Sequence, residues 1–284
     1  MSNDDTDTLA AAATQASEAV ERLSHELGTA KKLAALLQQL KAYRDKDWPL
    51  HIKALCEKDK AFLADLRKQE HPAISLIEEL YRDSKERAGK AIEQLPRDIA
   101  KLAKQAGIVI DTTQSRHPKY HFLQDGFVEV RIDDKKQLAS LGNRESKGLP
   151  MPADARAIIE AVTFEQKRLF ERGTLGAEFL AAVYNAYQQL LKKESVKAGD
   201  PVPLRHIYAR MADDRKDPRA PRYQADEFLI DMSALAEHGP GEIEGVGFTL
   251  QQTKDTDEGI LLIGPAGRGM VSLIRFHPKG QSES

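Results

Sequence analysis

Residues 224–251 read QADEFLIDMSALAEHGPGEIEGVGFTLQ, and the hydrophobic period changes inside this stretch. From Gln224 to Glu237, Phe228, Leu229, Met232 and Leu235 recur at helical spacing. Gly239-Pro240-Gly241 stops that helix, and Phe248-Thr249-Leu250-Gln251 then alternates at the period of a strand. Upstream, Thr174 caps a helix that runs to about Ser195, with Phe179, Val183, Ala186, Tyr187, Leu190 and Leu191 on one face. Gly199-Asp200-Pro201 turns the chain, and Pro203 opens a shorter helix whose inner face is Leu204, Ile207, Tyr208 and Met211. Downstream, Lys254 to Gly259 is a polar tip. Ile260 to Ile263 and Met270 to Phe276 are strands joined by the glycine-rich run Gly264 to Gly269.

Three helices followed by a β-hairpin is an order of elements that resembles the winged-helix superfamily over the last third of the chain. The resemblance implies a third helix that enters the DNA major groove. A reader helix needs Arg, Lys, Asn or Gln on its outer face. Beyond its first glutamine this one carries Asp226, Glu227, Asp231 and Glu237. The expectation is an exposed acidic face that docks protein and repels a polyanion.

At the other end, Leu9, Ala13, Ala16, Val20, Leu23, Leu27, Ala30, Ala34 and Leu37 follow a four-three alternation, the a/d seam of a coiled coil. Its many alanines make the seam narrow. Leu33, Leu36 and Leu40 form a second stripe beside it, which predicts contact with more than one helix. Asp47-Trp48-Pro49 restarts the chain into a helix to about Gln69 with Ile52, Leu55, Phe62 and Leu66 inward, and His71-Pro72 breaks it. A third helix is expected from Ile74 to Pro96. A short fourth carries Ile99, Leu102 and Ala103 and ends at Gly107. Ile108 to Ile110 reads as a strand. Tyr120–Gln124 and Phe127–Ile132 flank Asp125-Gly126 as a two-residue hairpin, with Val128, Val130 and Ile132 on the inner face. Lys136 to Leu141 is the next strand, Asn143 to Pro152 a linker, and Ala153 to Arg172 a helix. The fold class is therefore α+β, mainly α. An N-terminal helical coiled-coil region (1–106) leads to a small antiparallel β region and linker (107–150), then a winged-helix-like domain with a leading helix (151–284).

The 284 residues carry a formal net charge of −2 and a pI near 6.5, so no global basic field collects nucleic acid or an anionic membrane. Cys56 is the single cysteine, which excludes an internal disulfide and fits a reducing compartment. The acidic start, Met1-Ser2-Asn3-Asp4-Asp5, is unlike a signal peptide, and no apolar run has the length of a membrane span. A cytoplasmic protein is expected.

No phosphate-binding loop or dinucleotide fingerprint is present, and Gly264 to Gly269 reads as a turn. Asp255-x-Asp257-x-Gly259 lacks the later glycine and the closing glutamate of a calcium loop. His117 and His121 stand four apart, but Pro118 and a strand context remove zinc geometry; Arg116, His117 and Lys119 read as an exposed basic turn. Asp111, Glu129 and Arg131 approach the pattern of a magnesium-dependent nuclease, with arginine where lysine is needed, and a solvated strand face explains them more simply. Neither a metal nor a cofactor is expected. Arg205, Arg210, Arg215, Lys216, Arg219 and Arg222 surround the loop before the third helix. With Lys254 and Arg268 at the hairpin tips, they are the residues that would meet phosphates.

These readings converge on a non-catalytic subunit or adaptor of a multi-protein assembly, joined through the N-terminal helices and the winged-helix-like domain. Helices in front and a winged helix behind resemble, in layout, the kleisin subunits of SMC-type ATPase complexes that act on DNA. A phosphate-backbone DNA binder that dimerises through its N-terminal helices is the alternative, and a metal-dependent nuclease is the third reading.

Overall fold

The computed structural model describes every residue except 1–2, 174–175, 195–196, 198, 214–222, 256, 265–268 and 279–284; for 3–11 and 193–194 it describes the backbone alone. The protein is a mainly helical α+β chain. Long N-terminal helices precede a four-stranded antiparallel sheet and a mixed region of helices and antiparallel strands. It divides into two compact units, Met1–Glu93 and Gln94–Ser284. Among the described residues, no helix is long and apolar enough to cross a membrane.

The first unit holds α1 (Asn3–Asp45), α2 (Pro49–Lys58), α3 (Lys60–Lys68) and the first part of α4 (Ile74–Gln105). Its core is Leu33, Leu36, Leu40, Ile52, Cys56, Leu66, Ile74 and Ile77. The stripe Leu33-Leu36-Leu40 thus packs α1 onto its own chain. At the turn after α1, Asp47 takes a positive φ of 59° and pairs with Arg87, while Trp48 stacks on Tyr43 at 5.7 Å and on His51 at 4.6 Å. The helix expected to reach Gln69 is interrupted at Asp59, which separates α2 from α3.

The break expected at Pro96 does not occur, and α4 runs through it. One backbone hydrogen bond is lost there, but Leu95 and Ile99 are both fully buried and hold the helix across the gap. The end at Gly107 is as expected. Gly107 has φ +69°, and Ile108 N–H reaches back to Ala103 C=O at 2.9 Å, closing a Schellman-type cap.

The first sheet has the order β1 (Lys119–Phe122), β2 (Val128–Asp133), β3 (Leu138–Gly142), β4 (Leu149–Pro152). Val128, Val130 and Ile132 are buried as the alternation predicts. Ile108–Ile110 contributes only a bridge from Ile110 to Phe122. The β1–β2 connection is longer than two residues, because Phe122 pairs with Val128 and a 3-10 turn at Gln124–Gly126 lies between. Part of the expected linker is the strand β4. Its Pro150 and Pro152 both sit on an edge strand, where a missing N–H on the outward side costs no ladder bond.

α5 (Ala155–Phe170), α6 (Gly176–Glu194), α7 (Leu204–Asp213) and α8 (Ala225–His238) follow, and the short β5 (Val202–Pro203) lies between α6 and α7. The capping role expected of Thr174 and the helix end at Ser195 fall outside the described residues. The second sheet is β5–β9–β7–β6, made of β6 (Glu242–Ile243), β7 (Val246–Gln252) and β9 (Met270–Pro278), with β8 (Ile260–Leu261) also on β9. β7 pairs with β9 from Val246↔Pro278 to Gln252↔Val271. β8 pairs with β9 rather than β7, so the polar tip 254–259 belongs to an excursion between the two long strands.

Candidate functional site

The a/d seam of α1 is the most exposed apolar feature of the first unit. Alanine-rich sequence favours the helix, and its 43 residues span about 65 Å at 1.5 Å per residue. Val20 is 63% exposed, Leu23 59% and Leu27 56%. Each would be core in a coiled coil, and together with exposed Ala13, Ala16, Ala30 and Ala34 they make one unbroken stripe. Toward the C-terminal end of α1 the stripe runs into an open groove of about 610 Å³, where Ala30, Leu33, Ala34 and Leu37 face Gln69 and His71, with Arg22, His25 and Glu26 also lining it.

Of the basic residues singled out in the sequence, Arg205, Arg210 and Lys254 are among the described residues. Arg205 is tied down: Nη1 donates to Glu145 Oε2 at 3.1 Å and Nη2 to Gly259 C=O at 3.1 Å. Lys254 is exposed. Arg215, Lys216, Arg219, Arg222 and Arg268 lie outside the described residues. Arg210, whose Nε donates to Gln189 Oε1, lines an open groove of about 710 Å³ between α6 and α7 with Lys192, His206 and Asp213. Lys192 and His206 were not singled out in the sequence. His206 and Arg210 share one face of α7 by their spacing of four, which is the signal that could have found them.

The acidic face expected on α8 is not a surface. Asp226 is 2% exposed; Arg168 Nη1 donates to its Oδ1 at 3.1 Å and Asn143 Nδ2 to its Oδ2 at 2.9 Å. Arg172 Nη2 donates to Asp231 Oδ1 at 2.9 Å, and the Tyr223 hydroxyl donates to Oδ2 of the same carboxylate. Glu227 lies 3.5 Å from Arg168 and closes a capping box with Gln224. Arg168 comes from α5 and Arg172 from the turn just after it, and together they cover the flank of α8 that was expected to face solvent. Burial pushes the Asp226 carboxyl up, but hydrogen bonds from Arg168 and Asn143 outweigh it and the group lies below the usual carboxylate range. For Asp231 burial wins over Tyr223 and Arg172, and its carboxyl is raised. Phe228, Leu229, Met232 and Leu235 fill the other side, so α8 is an internal helix.

Asp111 and Glu129 are likewise engaged. Asp111 Oδ1 accepts from the Thr113 hydroxyl at 2.6 Å and Oδ2 from Gln114 Nε2 at 2.7 Å; the Thr113 bond is the main cause of a lowered carboxyl pKa. Burial raises the Glu129 carboxyl, but Lys119, at 2.7 Å, and Arg131 outweigh it and hold the group low. Carboxylates so occupied cap a turn and neutralise a strand face. Of the basic turn, Arg116 is exposed, whereas His117 Nε2 lies 2.8 Å from Asp134 and Lys119 serves Glu129. Among the described residues, no three His, Cys, Asp or Glu side chains come together as a metal site. Cys56 is buried, and desolvation with nearby Asp59 and Glu57 pushes its thiol up to about 11, which leaves it a poor nucleophile.

Comparison with protein-family models, with curated proteins and with solved structures finds no match for this chain.

Proposed function

We propose that the chain is a non-catalytic subunit of a multi-protein assembly, attached to its partner by the coiled-coil seam of α1. The observation that carries this is the run Val20, Leu23, Leu27, each more than half exposed on one long helix. A lone helix in water gains most of its stability from packing an apolar face, and this face is unpacked along much of α1. The C-terminal elements are read as a winged-helix-like module, because α6, β5, α7, α8, β7 and β9 follow one another in the order that resemblance implies. With α8 enclosed by α5 on one flank and the core on the other, the helix that would read bases is inaccessible. That argues against base reading by α8 and leaves attachment to the α1 seam, in a layout resembling the kleisin subunits of SMC-type complexes and suited to the cytoplasm. Affinity purification from the native host with the wild type and a Leu23→Glu/Leu27→Glu variant tests the reading. The variant should lose a defined co-purifying set while keeping its circular dichroism; identical sets would overturn the assignment.

A second reading rests on the groove lined by Lys192, His206, Arg210 and Asp213, where the Lys192 and Arg210 charges suit a phosphate backbone. If DNA is held there, Lys192→Ala and Arg210→Ala should each reduce the salt slope of binding by about one. A slope unchanged by either variant would remove this groove from consideration.

A further inference from the structure

We propose that the occupant of the α1 seam is a second copy of this chain, paired parallel and in register; this rests on the seam being a docking surface. In the heptad that places Ala13, Val20, Leu27 and Ala34 at a and Ala16, Leu23, Ala30 and Leu37 at d, Glu26 falls at g and Lys31 at e. Both are exposed. In a parallel pair a g side chain faces the e side chain five residues on in the partner, so Glu26 meets Lys31 twice by symmetry. Of the other flanking positions, Ala12, Ala19, Ser17, Ser24 and Gln38 are uncharged, and Leu33 and Leu40 at g pack on their own chain, so no charge opposes this register. An antiparallel pair packs a against d′, Val20 on Leu23, and sets Glu26 against Ala19 and Lys31 against Ala10, so neither charge is answered. Parallel pairing also sets every layer against its own kind, alanine on alanine and leucine on leucine, so the helices approach evenly. The groove at Ala30, Ala34 and Leu37 continues the seam and gives the partner helix room alongside Gln69 and His71.

Sedimentation of the full chain should show a dimer that Leu23→Glu converts to monomer. Glu26→Lys should weaken dimerisation about tenfold, by replacing two attractions with two repulsions, and Glu26→Lys/Lys31→Glu should restore it. Under mild oxidation Ala13→Cys alone and Ala30→Cys alone should each form a disulfide dimer, and buried Cys56 should not compete. Cross-linking only when the two cysteine variants are mixed would show the antiparallel pair and overturn the inference. A wild-type monomer whose seam still captures a different polypeptide would overturn it too while leaving the proposed function standing. A monomer with no seam-dependent capture would end both.

Discussion

Asp226 sits in the first turn of α8 almost wholly out of water, so its charge has to be answered inside the protein, and Arg168 and Asn143 answer it. Removing one member of a buried pair leaves the other uncompensated, and Asp226→Asn should cost about 3 kcal/mol in urea unfolding at neutral pH. The folded carboxyl is held below its unfolded value. Its stabilisation is therefore present above the unfolded pKa and lost as pH falls through the folded one, so wild type and variant should converge in acid. Asp231 has the opposite sign. Its raised carboxyl favours the folded state below the unfolded pKa and loses that advantage as pH rises through the folded pKa. Asp231→Asn should accordingly cost much less than Asp226→Asn at neutral pH, and equal losses would contradict the account. The inward apolar face of α8 was legible in its period. Its carboxylates read as solvent-facing because their partners lie 58 and 59 residues away. A matching signal existed: Arg168 and Arg172 are four apart in sequence at the end of α5, as are Glu227 and Asp231 on α8.

At the scale of the element, proline was the residue most often misread. At Pro96 local rules require a break, and tertiary packing of Leu95 and Ile99 prevails over the single backbone bond that Ile92 C=O forgoes. Pro96→Ala supplies that donor at an exposed position, so it should stabilise the chain by about 1–2 kcal/mol, the interior penalty of proline less its restriction of the unfolded chain. Differential scanning calorimetry would read this as a raised Tm; a lowered one would mean that α4 is not continuous there. Pro150 and Pro152 misled in the same way, since edge strands tolerate what central strands cannot. The α1 seam was legible because a heptad is a strictly local pattern. Which stripe serves the chain itself was not, because Leu33, Leu36 and Leu40 find their partners only once α2 to α4 fold back.

For the whole molecule, the consequence of two units is that unfolding has two parts. The first unit rests on a small core cluster running from Leu33 to Ile77, and the exposed stripe of α1 adds little intramolecular burial to it. The second unit encloses two sheets and α5 to α8, and burial stabilises in proportion to area, about 25 cal/mol per Å². Trp48, the only tryptophan, belongs to the first unit and stacks there on Tyr43 and His51, so its fluorescence reports that unit alone. In urea the Trp48 transition should come first, with the far-UV circular dichroism falling in two steps. Because a partner that binds only the folded state stabilises by mass action, the Trp48 midpoint should also rise with protein concentration in the wild type and stay fixed in Leu23→Glu. A single transition seen identically by both probes would mean that the units unfold together. A Trp48 midpoint independent of concentration in the wild type would detach the α1 seam from self-association, whatever the order of the two steps.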